Sequence, residues 1–576
     1  MTQPTTPEGG YPSSDKDDFG PDSVFTTNPL VRDGSYIKDP WGRMRYMGPT
    51  STWSFYQRAI ATLGQRLPQD QTTPSELFAV DGSAFKLTWV ALPPNGIPDL
   101  SGLPQTDHGL YMFHTVKFHL GYFSMIIDEP RFLARLHEFE MHPEEVAQSH
   151  RLWLAEYILI LAFGEAFLNR PSRGDAPAGT ALAARALALL PDLPQLHEEG
   201  LLSIEVLSLV ALYLHCLDMR VNAFLYIGQA LRLATVEGIH REIPEEAFGA
   251  ELSQRCKRLW WVLYVLDRRF SSLLGAPSSI RDDDVGMTLP WESNDTSMGA
   301  ALSLSIQLSR VLATIMSTVY STSEKLDKPL LTVTKDIIHK LADIGQQVDQ
   351  KLLPKTLNSS PSRMVCTITL MYHHCILHAT RPFVMCLLKG YIYSEPQDRQ
   401  KLHLTTSISN LLKTSTSSAM TILKTLSSLE KSQLIESFLP FDLEFLFSSA
   451  ILLCIIDLVC PDYITDQNWL PSVNYLLDAI IRLGNVSARL RKAELHHLLQ
   501  LLAEAKGSPG RDVELAPEIE ASMLYPGDST DVEQGDNGGS WSTVFDLDDT
   551  ALDPSHLLDL ALQLDREPDA EMFNFF

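Results

Sequence analysis

The stretch from residue 252 to residue 284, LSQRCKRLWWVLYVLDRRFSSLLGAPSSIRDDD, carries the clearest helical pattern in the chain. Its apolar residues recur at steps of three and four, which predicts an α-helix. One stripe consists of Leu252, Cys256, Leu259, Leu263, Leu266 and Phe270, and a second consists of Trp261, Tyr264 and Val265. Because the two stripes cover much of the helix surface, we expect this helix to be buried. Gly275, followed by Pro277, indicates where it ends.

Helical periodicity continues on both sides of this stretch and predicts an all-α fold. Residues 201–212 and 224–234 also keep apolar faces at three- and four-residue steps. Further helices are predicted over residues 303–320, 330–353, 364–388, 402–426, 441–459 and 471–505. The sequence shows no run of alternating strands and no repeat of roughly 20 to 50 residues that would indicate a solenoid. We therefore expect a large multi-helix body over residues 41–507.

The two ends of the chain differ from this body in composition. Residues 1–40 are rich in Pro, Gly, Ser, Thr and Asp and poor in large apolar side chains, which predicts a disordered leader. Residues 508–540 have a similar composition and predict a disordered linker. Residues 541–576 combine nine acids and the single base Arg566 with many leucines and aromatic residues. This mixture is typical of an acidic, activation-type tail.

The charge balance argues against direct contact with DNA. The chain has 71 acidic and 46 basic residues, a formal net charge of −25, and such a chain repels a polyanion unless its bases are concentrated on one face. The densest basic stretch, residues 255–258, lies inside the helical pattern rather than in an exposed arm. The seven scattered cysteines suit buried free thiols in a reducing compartment.

The sequence also lacks the signs of secretion or membrane insertion. The first 20 residues are polar and acidic, without the apolar segment of a secretory signal. The longest apolar run, residues 446–460, is interrupted by Asp457 and is shorter than the roughly 20 residues that a membrane span needs. We therefore expect a soluble intracellular protein without a membrane partner.

Several pieces of the sequence resemble one known family, in the same order along the chain. They are residues 42–51, 228–238, 255–269, 274–284, 381–383, 441–447 and 484–494, with the motif residues Arg258, Trp260, Trp261, Asp267, Arg268, Gly275, Pro277, Arg381 and Pro382. The pieces resemble the fungal-specific transcription factor regulatory domain, also called the xylanolytic activator regulatory or middle homology region of zinc-cluster regulators. The core of the motif lies in residues 200–290. The resemblance implies a nuclear transcription regulator, and it places Arg381 and Pro382 at the end of a helix.

The sequence departs from that family at its start. Zinc-cluster regulators typically begin with six cysteines that bind two zinc ions and place a short helix in the DNA major groove, whereas the first cysteine here is Cys216. We therefore expect no cofactor in this chain. Either the protein acts without touching DNA, for example by forming a homodimer or a heterodimer with a DNA-binding regulator, or this polypeptide lacks a module of the intact gene product. The domain type also allows a small-molecule effector.

Two charged residues of the buried helix need partners inside the protein. An unpaired charge in an apolar core is costly. We therefore expect Asp267 to meet a cation or backbone donors from a neighbouring segment, with Arg281 or Arg255 as the cation. A buried ion pair that fixes the position of the helix is the favoured role of Asp267 and Arg268, ahead of effector binding.

No pattern in the sequence predicts a metal site or a catalytic site. The aspartates at 282–284 lack the spacing of a calcium loop and read as a turn or a helix cap. The histidines at 373, 374 and 378, with Cys375 between them, lack the spacing of a zinc site, so packed or hydrogen-bonded roles are favoured. The sequence contains no Gly-rich phosphate loop and no Gly-x-Ser-x-Gly elbow. We expect a protein that is not an enzyme.

The tail is the predicted site of contact with the transcription machinery or its coactivators. The candidate contact residues are Trp541, Phe545, Leu547, Leu557, Leu558, Leu560 and Phe573. Acids keep such apolar side chains solvated until they dock, as a short amphipathic helix, in an apolar groove. The alternatives are an inert acidic extension and a tail that folds back on the body.

Three classes of function fit these observations. The first is an activator of transcription that works through protein partners. The second is a negative regulator that titrates such partners by dimerising with full-length relatives, or a truncated form of a zinc-cluster DNA-binding factor. The third and most remote class is a non-catalytic helical protein that binds a ligand.

Overall fold

The computed structural model describes most of the predicted body and a few residues at its ends. The described residues are 28–31, 36–38, 44–65, 84–168, 176–289, 297–321, 330–351, 362–394 and 404–506, with 557, 559, 560, 562 and 563 near the C-terminus. The predicted linker and most of the leader lie outside them. Within the leader, Asn28 and Leu30 are buried, and the Asn28 side-chain amide donates to the Val319 carbonyl at 2.7 Å. Packed structure therefore begins before the boundary predicted at residue 40.

Almost all the described secondary structure is α-helical, so the predicted all-α class is confirmed. The first nine helices are α1 Thr52–Gly64, α2 Thr106–Leu120, α3 Glu129–Met141, α4 Pro143–Ser149, α5 Arg151–Leu168, α6 Thr180–Ala188, α7 Leu193–Glu198, α8 Leu201–Cys216 and α9 Arg220–Val236. The others are α10 Glu245–Phe248, α11 Ala250–Leu274, α12 Ser297–Thr318, α13 Leu330–Lys351, α14 Arg363–Tyr393, α15 Thr406–Lys431, α16 Phe441–Val459, α17 Trp469–Arg482 and α18 Val486–Ala505. A small antiparallel hairpin, β1 Tyr36–Lys38 and β2 Met44–Tyr46, precedes them.

Helix α11 lies at the centre of the helical body. It packs against α9 and α12, while α12 packs in turn against α13 and α14. Its side chains from Leu259 to Leu266 are at most 1% exposed, as the two apolar stripes predict. The buried residues of the body form one continuous apolar cluster that extends from Leu30 to Leu502. Its packing, rather than helix propensity, supplies most of the stability of such helices.

The end of α11 follows the predicted stop signal. Gly275 adopts a left-handed conformation with φ of +71°. In this cap the backbone N–H of Ala276 donates to the Ser271 carbonyl at 2.9 Å, which satisfies an acceptor that the helix leaves open. Gly275 also lies against Gly48, whose N–H donates to the Leu274 carbonyl at 2.9 Å. A Cβ atom on Gly48 would overlap the Gly275 backbone, so the loop before α1 can approach α11 only through glycine.

The prediction that Arg381 and Pro382 end a helix is wrong. Both residues lie inside α14, which continues to Tyr393. A proline in a helix leaves the carbonyl four residues earlier without its usual donor. Here that carbonyl belongs to His378, and the Tyr320 hydroxyl donates to it at 2.9 Å. Tyr320, just after α12, therefore supplies the hydrogen bond that Pro382 removes.

The helix predicted over residues 471–505 is two helices, α17 and α18. Gly484, with φ of +100°, separates them. Asn485 then caps α18, because its side-chain oxygen accepts a hydrogen bond from the Ala488 N–H at 2.9 Å. The glycine and asparagine are the usual signals for such a break, and the apolar periodicity on both sides obscures them.

Among the described residues, the segment Met298–Thr318 of α12 is long and apolar enough to span a membrane by length and composition. In its most apolar window, 61% of the residues are buried within the protein. That burial is typical of a helix in the core of a folded protein.

We expect Gly48→Ala to destabilise the protein by about 1–3 kcal/mol, because the new methyl group forces the loop away from α11. The measurement is the free energy of unfolding in urea. The matched control is Gly228→Ala in α9, where a Cβ atom would meet open space. Replacing that helical glycine should leave stability unchanged or raise it by up to about 1 kcal/mol. Equal effects of the two substitutions would contradict the steric explanation.

Candidate functional site

Two of the family-like motif residues, Asp267 and Arg268, form a buried polar network towards the C-terminal end of α11. The Arg268 guanidinium donates to the Asp267 carboxylate at 3.0 Å, and also to the Ile280 carbonyl at 2.8 Å and to Asp282 at 2.9 Å. Asp267 further accepts hydrogen bonds from the Ser279 N–H at 3.1 Å and from the Ser279 hydroxyl at 2.5 Å. The network therefore ties the loop after α11 back onto the helix.

These contacts correct one prediction about Asp267 and agree with another. Its cationic partner is its neighbour Arg268, not Arg281 or Arg255. The expected backbone donor from a neighbouring segment is the N–H of Ser279. Burial raises the pKa of Asp267, while Arg268 and the Ser279 hydrogen bonds oppose that rise. The predicted turn at 282–284 is a short 3₁₀ helix, Asp282–Asp284.

Aromatic residues of α11 add further contacts around this network. Trp260 and Trp261 are fully buried, and the Trp261 indole N–H donates to the Thr288 carbonyl at 3.0 Å. The Arg268 guanidinium stacks on the Tyr264 ring at 3.7 Å from its centre, a favourable cation–π contact. The motif residue Arg258, in contrast, lies on the exposed side of α11.

A groove of about 560 Å³ borders the same network. It lies between α12, the loop that contains Pro49 and Thr50, and the loop that contains Gly275 and Pro277. Pro277 itself is exposed. Polar and apolar groups share the walls of the groove.

Arg381 joins the loop before α1 to two other helices. Its buried guanidinium donates to the Thr50 carbonyl at 3.2 Å and to the Thr52 hydroxyl at 3.0 Å, and also bonds the Ser448 hydroxyl of α16. These neutral oxygens accept hydrogen bonds from both terminal nitrogens of a guanidinium that is fully buried, while its Nε has no partner in the described structure. Arg381 therefore has a structural role, like Asp267.

A second charged cluster, which sequence reasoning missed, surrounds the N-terminal half of α11. Glu156 and Glu205 have fully buried side chains on α5 and α8, and Arg131 donates to them at 2.9 and 2.7 Å respectively. Arg255 pairs with Glu205 and, at 3.0 Å, with Asp128. Burial raises the pKa of Glu156 to about 7, although Arg131 and Arg255 oppose the rise.

A small cavity lies beside Arg269. It is formed by residues Arg269, Ser272, Leu273, Leu308, Ser309, Leu312, Met371, His374, Cys375, Phe441, Glu444 and Phe445, on α11, α12, α14 and α16. Arg269 is 7% exposed, and neither of its terminal nitrogens has a hydrogen-bond partner in the described structure. Most of the cavity surface is apolar.

Comparison with known proteins identifies a family for the part of the chain that contains α11 and both charged clusters. Residues 110–359 match the family described as the fungal-specific transcription factor domain. This segment is a fungal-specific transcription factor domain. The predicted resemblance is confirmed, and the domain contains Asp267, Arg268, Trp260 and both charged clusters around α11.

Several fungal regulators share parts of the sequence. Activator of stress genes 1 of Saccharomyces cerevisiae is 33% identical over 97 residues, which are 17% of this chain and 10% of that protein. Transcriptional activator protein acu-15 of Neurospora crassa is 25% identical over 173 residues, 30% of this chain and 18% of that protein. The ABC-transporter-regulating transcription factor of Aspergillus oryzae is 24% identical over 281 residues, 46% of this chain and 30% of that protein. No solved structure matches the chain.

The matches therefore span only a tenth to about a third of the length of these three relatives. Residues outside the matched segment also contact the fungal-specific transcription factor domain. Arg381 and the loop at Gly48 lie outside residues 110–359, yet that loop contacts the end of α11 and Arg381 contacts the loop.

The histidines that could suggest a metal site are packed in the core beside this domain. The rings of His374 and His378 meet edge to face, 4.4 Å apart. Burial, reinforced by nearby Arg381, holds the pKa of both imidazoles well below the usual value of 6.5. Within the described ranges, no group of three or more His, Cys, Asp or Glu side chains could hold a metal ion.

The predicted tail contacts fall into two groups. Leu557 and Leu560 are packed into the core cluster, at 4% and 2% exposed. The nearby Gln563 accepts a hydrogen bond from Asn410 of α15 at 2.7 Å, so this part of the tail folds back on the body. The other predicted contacts lie outside the described residues: Trp541, Phe545, Leu547, Leu558 and Phe573.

We expect Glu156→Gln to remove a pH-dependent loss of stability within the fungal-specific transcription factor domain. The folded-state pKa of Glu156 is about 7 and its unfolded value is 4.5, so the folded protein keeps this proton over a range in which the unfolded chain releases it. The contribution of Glu156 to the free energy of unfolding therefore falls as pH rises from 4.5 to 7. Glutamine has no such proton, so the variant should gain on the order of 3 kcal/mol relative to wild type across that window.

The measurement is urea unfolding at several pH values between 5 and about 7.5. Glu144→Gln, at an exposed position on α4, is the control, and its stability difference from wild type should not change with pH. A stability difference between Glu156→Gln and wild type that stays constant over this range would contradict the assigned pKa shift.

Proposed function

We propose that this protein regulates transcription in the nucleus of a fungal cell, through contacts with other proteins. The observation that carries the proposal is the fungal-specific transcription factor domain at residues 110–359. It is supported by partial matches to fungal proteins that are named as transcriptional activators or regulators. The proposal assigns no catalytic step to the chain.

In this proposal a partner protein, rather than this chain, contacts DNA. The chain has a net charge of −25, and its basic residues 255 and 268 are paired with buried or nearby carboxylates. Arginines that are already paired in this way are not available to neutralise phosphates. A heterodimer with a DNA-binding regulator would bring this domain to its target genes.

The acidic tail would contact coactivators or the transcription machinery. Its apolar residues are separated by acids, the composition of segments that fold on binding a partner. Two of those residues, Leu557 and Leu560, are buried against the body in the structure. They become available to a partner only when this part of the tail leaves the body.

A second candidate function follows from that burial. If the tail stays on the body, the chain would occupy DNA-binding relatives without activating transcription, and would act as a negative regulator. The hydrogen bond between Asn410 and Gln563 is an additional contact that holds the tail in place.

We expect residues 541–576 to activate a reporter gene when fused to a foreign DNA-binding domain. The same fusion with the whole chain should activate less, because Leu557 and Leu560 are then packed on the body. Substituting Phe545, Leu557 and Phe573 together by Ala should abolish activation by the fragment, since docking depends on large apolar side chains. The measurement is reporter expression at matched protein levels.

Asn410→Ala in the whole-chain fusion removes the hydrogen bond from α15 to Gln563 without changing the tail itself, so it should loosen the docked tail and raise expression from the reporter. Ser417→Ala, at an exposed position on the same helix, is the matched control and should leave expression unchanged. A silent fragment would contradict the activator proposal and favour the negative regulator.

A further inference from the structure

The outer face of α15 is positively charged, although the chain as a whole is strongly acidic. The exposed residues of this helix are Thr406, Lys413, Ser417, Lys424 and Lys431, and none of them is an acid. Lys413 and Lys424 are about three helical turns apart, so they lie on the same side of the helix. We call these two residues the α15 lysine ridge.

The two ridge lysines have no carboxylate partner among the described residues. Four other lysines of the body each pair with a carboxylate, at 2.6 to 3.4 Å: Lys117, Lys257, Lys492 and Lys506. Lys413 lies over the Tyr463 ring, 5.5 Å from its centre. The acid of α15, Glu430, accepts a hydrogen bond from the Tyr475 hydroxyl at 2.8 Å. The ridge therefore presents positive charge that the described part of the body does not balance.

The docked part of the acidic tail lies next to this ridge. Leu557 and Leu560 are buried against the body, and Gln563 accepts a hydrogen bond from Asn410 at 2.7 Å. Asn410 precedes Lys413 on α15 by about one helical turn. The tail is therefore held close to one end of the ridge.

The chain just before Leu557 has the charge and the reach to follow the ridge. Residues 541–556 contain no lysine or arginine, and their acids are Asp546, Asp548, Asp549 and Asp553. An extended chain allows Asp553 and Asp549 to lie up to roughly 14 and 28 Å from Leu557. The ridge from Lys413 to Lys424 is only about 17 Å long. These aspartates can therefore reach the ridge while Leu557 stays docked.

We propose that residues 546–553 dock along the α15 lysine ridge, with their aspartates against the ammonium groups of Lys413 and Lys424. The regulatory consequence rests on the proposed function. A tail docked in this way keeps Phe545 and Leu547 beside the body, where coactivators cannot bind them. The ridge thus extends the contact that Leu557 and Leu560 begin.

Attachment to the docked leucines makes these exposed ion pairs effective. A single surface ion pair is weak because water and salt screen it. A short flexible connection, however, holds the aspartates near the ridge at an effective concentration on the order of millimolar. The tail of a second copy, at micromolar protein, is far less concentrated there. The same argument therefore favours the tail of the same chain as the occupant.

The contact is tested by carbodiimide cross-linking of the full chain, which joins a lysine to a carboxylate that touches it. Mass spectrometry of the digested protein should find Lys413 and Lys424 linked to acids within residues 546–553. The yield should fall several-fold in about 0.5 M sodium chloride, which screens exposed charges. Lys340, at an exposed position on α13, is the matched control and should not be linked to these acids.

Two outcomes of this experiment would overturn the proposal. One is the absence of links from both ridge lysines, or equal links from Lys340. The other appears when isotopically labelled and unlabelled chains are mixed before cross-linking. Links that join a labelled to an unlabelled chain would assign the ridge to the tail of a second copy, whereas links within one chain support the proposal.

The regulatory consequence is tested with Lys413→Gln and Lys424→Gln together in the whole-chain reporter fusion. The double variant leaves the tail unchanged, so expression should rise several-fold towards the level of the fragment 541–576. Lys340→Gln is the control and should leave expression unchanged. If the fragment activates but the double variant behaves as wild type, the ridge does not restrain the tail and the inference fails. A silent fragment contradicts the activator proposal alone, because the cross-links still decide whether the ridge holds residues 546–553.

Discussion

A charged side chain in an apolar core needs an oppositely charged group or hydrogen-bond partners within the protein. This requirement determines the surroundings of helix α11. Its Asp267 and Arg268 are both nearly inaccessible to water, so the pair would be costly if either partner were missing. The loop after the helix supplies the other partners through Ser279 and Asp282. The position of that loop is therefore fixed by electrostatics and hydrogen bonding as much as by apolar packing.

The same constraint explains why the domain extends beyond the segment that family comparison recognises. The loop containing Gly48 contacts the end of α11, and Arg381 holds that loop through the Thr50 carbonyl. Residues separated by more than 300 positions thus form one arrangement around the helix end. A shorter chain cut at the boundaries 110 and 359 would leave the α11 cap and the groove beside it without one wall.

The sequence predicted the features that depend on local chemistry. Apolar periodicity identified α11 and the other helices from α8 onward except α10, with α17 and α18 predicted as one helix, whereas α1 to α7 were not assigned. Gly275 with Pro277 located the end of α11. The sequence could not predict that Ser279 donates to Asp267, because that contact depends on the path of a loop. Nor could it show that Arg131 and Arg255 meet Glu205, since these residues come from three different helices. A signal was present, however: Glu156 and Glu205 each interrupt an otherwise apolar helix, and such an acid needs a buried cation.

The proline within α14 has a mechanical consequence for the core. The His378 carbonyl, whose usual donor four residues later is replaced by Pro382, accepts a hydrogen bond from the hydroxyl of Tyr320, just beyond the end of α12. Sliding of α12 along α14 would separate these two atoms and leave a bare carbonyl in a dry environment. This hydrogen bond therefore restricts sliding of α12 relative to α14. Displacement of α12 along α14 therefore carries a cost beyond lost apolar packing, the loss of the donor to a buried carbonyl.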